Sequence, residues 1–441
     1  MGQGEPSRAD LYRVIAQLRA EVARLVARVE ELEAELAGRG PPPPRPPAWV
    51  RPSKPARPGE RQVRKKRAAN FARRRAVADR QVEHAVATCP DCGCGLRGGT
   101  IKRRREVIDV ELRPAVVTEH VLLERVCPVC DRACVPALGP ADGVVGRHRF
   151  GPNLLALIGT WREVGRLPAR AIQAFLGICH RVHVSLGAVE GALHALAARG
   201  AAAVATLREQ IRAAPVVHAD ETTWRQDGRN GYVWQLSTPT ACYFERGPRT
   251  TEQIDRLLGR EFAGVLVSDF YAAYHHFPGE KQRCWAHLLR DVREVLAAHP
   301  ADAALRRWGR YLHRLFRATR DHPGTTPAER RRIRQRAEAS LTRACQPWTQ
   351  ASVPQRTLCQ RIMAHRHELF TFVVRPEVPP TNNAAERAFC PLVIARKVWG
   401  GTRSEQGSTD AMRRASLVAT WRLRALNPFD QFRTLLLSPQ L

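Results

Sequence analysis

PVVHADETTW, from Pro215 to Trp224, reads as a short apolar strand whose last residue is Asp220. The β-branched Val216 and Val217 favour a pleated, buried backbone, and the polar ADETT that follows ends the apolar run where a site could open. A second strand repeats the design. GVLVSDF, from Gly264, is again a buried-type run, and it closes on Asp269 before the turn-like FYAAY. Two strands are thus expected to end on an aspartate each.

Between them, GYVWQLST and ACYFER alternate and are joined at Thr238, Pro239 and Thr240, which predicts a hairpin. TTEQIDRLLGREF carries Ile254, Leu257 and Leu258 at helical spacing, with Thr250 or Thr251 as N-cap. Strand, strand, strand, helix, strand is the order of the first half of a ribonuclease H-like sheet. Far downstream, PPTNNAAERAFCPLVIARKVWGGTRSEQGS places Glu386 at the start of a helix capped by Asn382 or Asn383. Asn383-Ala-Ala-Glu386 also has the spacing of a capping box, the purely structural alternative. Asp220, Asp269 and Glu386, brought together by a fold, would offer hard oxygen ligands suited to two Mg²⁺ or Mn²⁺ ions. A pair of such ions supports in-line displacement at phosphorus, so the chemistry suggested is phosphodiester cleavage or strand transfer.

The chain has 441 residues, 44% of them hydrophobic, enough for two or three domains. Seventy-one Lys and Arg against 42 Asp and Glu give a net charge of +29, which points to a polyanionic partner, nucleic acid first. No apolar segment follows a basic start, and the Ala-rich stretch from Leu186 to Leu207 is broken by Glu190, His194 and Arg199. Neither a signal peptide nor a membrane span is expected. The 12 cysteines are mostly single, with two CxxC pairs, which fits a reducing cytoplasm.

From Leu11 a strict heptad places Leu11, Leu18, Leu25 and Leu32 at one position and Ile15, Val22, Val29 and Leu36 four residues later, which predicts a parallel two-stranded leucine zipper over residues 1–40. A Pro-rich and basic linker follows over 41–84, with RKKR at Arg64, Lys65, Lys66 and Arg67 and RRR at Arg73, Arg74 and Arg75. Such blocks track phosphates without reading bases. Over 85–138, Cys89-Pro-Asp-Cys92 is answered by Cys127-Pro-Val-Cys130, two knuckles able to hold one tetrahedral Zn²⁺. VIDVEL and TEHVLLERV alternate like a β-ribbon between them, and Cys94 and Cys134 are spare thiols that could replace a ligand.

Residues 148–212 are helical, with LPARAIQAFLG and SLGAVEGALHALAARG as a helix-turn-helix-like pair, or simply packed helices. A sheet domain over 213–290 and 376–426 is interrupted by a helical, arginine-rich insertion over 291–375. Cys284 and His287, one CxxH apart in KQRCWAHLLRDVREV, are expected to pack or hydrogen-bond beneath the carboxylates. Arg387, Arg396, Lys397 and Arg403 are expected to crowd Glu386 with charge that could hold a DNA phosphate. A closing helix from Ser408 to Leu426, the NPFDQF turn and a tail over 427–441 finish the chain. The whole predicts a multidomain α+β protein: coiled coil, zinc-ribbon-like β domain, helical domain, and a ribonuclease H-like α/β core with an α-helical insertion.

Together HADET at His218, SDFYAAY at Ser268, CWAH at Cys284, NNAAER at Asn382 and the following RKVWGGTRSEQG, with the zipper and CPDCGCGL ahead of them, resemble the insertion-sequence-66 type of DDE transposase over nearly the whole chain. The resemblance implies Asp220, Asp269 and Glu386 as the catalytic triad and Cys89, Cys92, Cys127 and Cys130 as zinc ligands; Asn383, Arg387, Cys284 and His287 are expected to support the triad. It also implies binding to terminal inverted repeats and target DNA, self-association through the zipper, accessory transposition proteins and a place in the bacterial cytoplasm at the nucleoid. Two other readings stand beside it: a catalytically silent DNA-binding regulator or domesticated copy, and a ribonuclease H-like nuclease.

Overall fold

The computed structural model describes residues 8–38, 77–105, 107–110, 114–146 and 149–438; the basic blocks at Arg64–Arg67 and Arg73–Arg75 lie outside them. The chain divides into two units, Met1–Ile108 and Asp109–Leu441. In the first, Arg8–Gly38 is a single helix of 31 residues. Its heptad residues Ile15, Leu18, Val22, Leu25, Val29 and Leu32 remain 41–59% exposed. Among the described residues, no helix is long and apolar enough to cross a membrane.

The second unit opens with a two-residue ladder, β1 (Arg125–Val126) against β2 (Ala133–Cys134). Among the described residues no ladder joins VIDVEL to TEHVLLERV, so the ribbon expected there is replaced by this short pairing. Their valines are exposed, Val107, Val110 and Val121 at 75–77%, and apolar alternation yields a ribbon only where one face is buried.

The main sheet has five strands in the order β5-β4-β3-β6-β7: β3 (Val216–Gln226), β4 (Arg229–Ser237), β5 (Cys242–Gly247), β6 (Val265–Ser268) and β7 (Lys281–Arg283). The first three run antiparallel; β6 joins β3 in parallel and β7 joins β6 in parallel. The Thr251–Leu258 helix crosses between β5 and β6.

Asp220 does not end its strand. Strand β3 continues to Gln226 and turns into β4 through Asp227 (φ 48°) and Gly228 (φ 73°). Two consecutive positive φ values give the tight turn whose twist matches paired strands, and Asp-Gly is a favoured sequence for it. What ends near Asp220 is the neighbour: β6 pairs only with Val216, Val217 and His218. Beyond His218 the β6 side of β3 is open to other partners.

The Asn383–Trp399 helix supplies them. Asn382 Nδ2 donates to Ala219 O at 2.7 Å, and Arg396 donates to Thr222 Oγ1, Thr223 Oγ1 and Thr223 O. Past them Thr402 N donates to Arg225 O and Asp227 N to Thr402 O, both at 2.9 Å, while Trp224 Nε1 donates to Thr402 Oγ1 at 3.0 Å. Gly401 (φ 100°) allows this approach: a Cβ there would lie 2.0 Å from Arg225 O. The helix and the GGT loop thus satisfy the strand edge that β6 leaves unpaired, as buried backbone groups require.

Side-chain alternation sends Val217 and Ala219 to one face of β3 and Val216, His218 and Asp220 to the other. The first face packs on a core with Leu155, Leu176, Leu196 and Ile211 from four helices between Pro152 and Arg212. Phe432 and Leu436, both fully buried, join that core from a Pro428–Leu437 helix capped by Asn427, so the stretch expected as a turn and tail is helical. The second face meets Val265, Val267, Trp285 and Leu288, from which the helices between Ala303 and Val374 extend.

Candidate active site

Three segments converge beside β3. His218 and Asp220 stand two residues apart on one face; Asp269 is the first residue after β6; Glu386 lies in the first turn of the Asn383–Trp399 helix. Asn382 holds them in register. Fully buried, it takes a hydrogen bond at 2.9 Å between its Oδ1 and His218 Nδ1, donates to Ala219 O, and offers its own N–H to Cys284 Sγ at 3.1 Å. Asn382 occupies the N-cap position, yet its side chain makes no cap bond, and the capping box considered for Asn383 and Glu386 does not form. The amide is used to dock the helix instead.

Burial raises the pKa of Asp220 first, and the negative charges of Asp269, Glu221 and Glu386 raise it further, to about 8, against a weaker opposing bond from Glu221 N at 2.9 Å. Asp220 thus lies, largely buried, within electrostatic reach of both Asp269 and Glu386. His218 is pushed the other way: burial outweighs its bond to Asn382 and holds it neutral, and Arg387 adds to the depression.

Asp269 is set from behind. Its Oδ1 accepts Tyr271 N at 2.8 Å, and its carbonyl accepts Arg283 Nη1 at 2.7 Å. Arg283 has no exposed surface and also reaches Ser268 Oγ (3.1 Å), Tyr274 O (3.3 Å) and the Glu368 carboxylate (2.6 Å). The bonds and charges of His365, Arg283 and Lys281 outweigh burial and hold Glu368 down at about 2. Glu221, on the opposite face of β3, accepts Tyr274 Oη (2.8 Å) and Arg249 Nη2 (2.9 Å), and its pKa is raised mainly by burial.

Glu386 faces His287 Nε2 at 3.4 Å and Arg290 Nη2 at 3.5 Å. Cys284 and His287 lie beside Asn382 and Glu386: Cys284 is buried with a pKa raised by that burial, and His287 Nδ1 is buried without a partner. Asn383 and Arg387 are exposed, and Arg387 lines a largely apolar cavity of ≈ 490 Å³ with His218 and Phe244.

Among the described residues, the cation that pairs with Glu386 is Arg290 rather than one of the four expected there. Arg396 and Lys397 lie about 15 Å along the helix from Glu386 at 1.5 Å per residue. Arg396 is committed to Thr222 and Thr223, while Lys397 and Arg403 are exposed. Sequence reasoning missed Asn382 as a bridge, Arg283 as a brace and Arg290 as the nearby cation. Only His218 carried a signal, its two-residue offset from Asp220.

Both cysteine knuckles form one and the same turn. Cys89 N donates to Cys94 O and Gly93 N to Cys89 O; Cys127 N donates to Arg132 O and Asp131 N to Cys127 O, all at 2.9 Å. Gly93 and Asp131 share positive φ, 72° and 53°. A Thr88–Gly95 bridge closes the first turn and the Val126–Ala133 pair the second, at equal offsets from the leading cysteine. Amide N–H groups of Cys92 and Asp91 lower the Cys89 thiol, and those of Val129 and Cys130 lower the Cys127 thiol. Among the described residues, no three carboxylate, imidazole or thiol groups are gathered into a preformed metal cage.

A family described as "Transposase IS66 family" matches residues 147–410, more than half of the chain and a span that holds all three carboxylates. The chain is also 23% identical over 393 residues to a protein of Sinorhizobium fredii (strain NBRC 101917 / NGR234) named "Uncharacterized protein y4hP", covering 79% of this chain and 70% of that one. On the extent of the family match, the chain belongs to the transposase IS66 family.

Proposed function

We propose that this transposase binds the terminal inverted repeats of an insertion sequence and cuts and joins DNA at Asp220, Asp269 and Glu386, on a ribonuclease H-like core. The observation that carries the reading is the convergence of three sequence-distant segments beside β3, which leaves Asp220 buried within electrostatic reach of Asp269 and Glu386. The antiparallel β5-β4-β3 and parallel β3-β6-β7 order supports the fold assignment.

Asp220, Asp269 and Glu386 would hold two Mg²⁺ or Mn²⁺ ions. Their oxygen donors suit hard dications, and the excess negative charge felt by Asp220 is what such ions offset. When bound, the metal supplies activation of an attacking oxygen and stabilisation of the leaving one.

Water attacks phosphorus at the element's end, the P–O3′ bond breaks, and the released oxygen takes up a proton to become a 3′ hydroxyl. That hydroxyl attacks a target phosphodiester, forming a new P–O bond as the target's own 3′ oxygen departs. Asn382 and Arg283 keep the carboxylates in place through the Ala219 and Asp269 carbonyls, and Arg290 presents positive charge beside Glu386.

The test is Mg²⁺-dependent nicking of DNA carrying the element's own ends, identified as inverted repeats flanking the reading frame. Wild type should nick those ends in preference to a four-way junction, and Asp269→Asn should not nick them. An inert wild type would indicate a silent regulator, and unimpaired cutting by the variant would remove the triad assignment.

Cys89, Cys92, Cys127 and Cys130 are proposed as ligands of one zinc ion on the strength of their matching turns. Metal analysis should find one zinc per chain, and a zinc-free native protein would end that reading. The exposed heptad stripe supports self-association, which Leu18→Glu with Leu25→Glu should abolish in sedimentation; a wild-type monomer would refute it.

A further inference from the structure

Resting on the transposase reading, we propose that the outer face of the Ala303–Asp321 helix docks the phosphate backbone of duplex DNA leading away from Glu386. Leu305, Trp308, Leu312 and Phe316 bury one side of this helix, and Trp308 Nε1 donates to Ala344 O at 3.1 Å, which fixes the side turned outward. Arg307, Arg310, Arg314 and Arg317 recur at spacings of three and four, about 180° round the helix from that core. All four are exposed, and among the described residues none has an ion-pair partner within bonding reach. The helix's one acid, Asp321, is its last residue and pairs with Arg320 at 2.7 Å.

Four like charges in a row repel one another and weaken the helix that carries them, so its own stability does not account for the stripe. The neighbouring Pro327–Cys345 helix is as rich in arginine but uses it differently. There Arg330 and Arg334 donate to Val373 O and His367 O, and Glu329 and Glu338 interleave with them.

The helix that carries the stripe packs on the Trp285–Ala298 helix, which reaches Glu386, with Trp285 and Phe316 stacked at 5.0 Å. Arg290 stands 3.5 Å from Glu386, and Arg293, exposed, is three residues further along the same helix, with Glu294 the acid beside it. His313, on the flank of the Ala303–Asp321 helix, is depressed by burial and then by the charges of Arg317 and Arg293, so both cations lie within electrostatic reach of one imidazole. From Arg307 to Arg317 the rise is about 15 Å, the length of about four or five phosphate steps along one strand.

The experiment measures binding of the full chain to a long duplex by fluorescence anisotropy between about 50 and 200 mM salt. Arg307→Gln, Arg310→Gln, Arg314→Gln and Arg317→Gln are combined in one variant. Arg331→Gln, Arg332→Gln, Arg336→Gln and Arg343→Gln, exposed on the neighbouring helix, remove equal charge in a second. The stripe variant should lower the slope of log K against log salt by about 3–4, at about 0.9 per lost phosphate contact, with the second variant within about one of wild type. Equal effects of the two variants, or none, overturn the docking surface while leaving the transposase reading in place. Wild-type binding without salt dependence overturns both.

Discussion

Replacing Asn382 by alanine tests how the Asn383–Trp399 helix is held to the sheet. The substitution removes the acceptor of His218 Nδ1–H and the donor to Ala219 O. Asn382 is fully buried and His218 only 6% exposed, so water cannot take over these bonds. Each orphaned buried group costs about 1–3 kcal/mol, which gives about 2–6 kcal/mol for the pair. Urea unfolding followed by tryptophan fluorescence, with Trp224 and Trp234 buried in the sheet, should register that loss as a lower midpoint at unchanged slope. Asn382→Asp should cost at least as much, because it turns a carboxylate oxygen onto the Ala219 carbonyl. A His218→Ala and Asn382→Ala cycle should show a coupling of about 1–2 kcal/mol. A loss below about 0.5 kcal/mol for Asn382→Ala, with full DNA nicking, would refute the idea that this amide positions Glu386.

Gly401→Ala should destabilise by more than about 3 kcal/mol, since its Cβ would strike Arg225 O and the residue would be held at φ 100°; a thermal midpoint within a degree or so of wild type would contradict the strapped strand edge. Glu368, with its pKa depressed to about 2, contributes stability that is present above its unfolded value near 4.5 and is lost as pH falls through about 2. That contribution, about 2 kcal/mol once partial exposure is discounted, should vanish from the acid limb of the stability curve in Glu368→Gln. The same variant should lose about 3–5 kcal/mol at neutral pH, because it leaves Arg283 buried without its counter-charge. Parallel acid limbs for variant and wild type would contradict the assignment.

Asp269 and Glu386 were legible because each stands where a strong local signal changes: a four-residue buried strand ends, and a helix begins. Asp220 was legible as a position but not as a context. ETTWRQ reads as a loop by polarity, yet Thr222 and Thr223 are β-branched and the Asp227-Gly228 pair is a hairpin turn, so the strand runs on. The roles of Asn382 and Arg283 lay beyond sequence reasoning, since their partners Ala219 and Glu368 are 163 and 85 residues away. Arg396 misled for the opposite reason: its charge suggested a phosphate, whereas its geometry serves the edge of β3. The C-terminal helix was hidden by Asn427-Pro428, which reads as a turn until Phe432 and Leu436 find their core.

The insertion between Asp269 and Glu386 also sets a clock. At about 5–20 residues per second, the third carboxylate leaves the ribosome roughly 10–30 s after Asp220. The early strands have that interval to pair before the Asn383–Trp399 helix arrives to fill the edge beside Ala219 and Thr223. A product terminated between Asp269 and Asn382 carries both aspartates but neither Glu386 nor the residues that cover β3 beside Ala219 and Thr223.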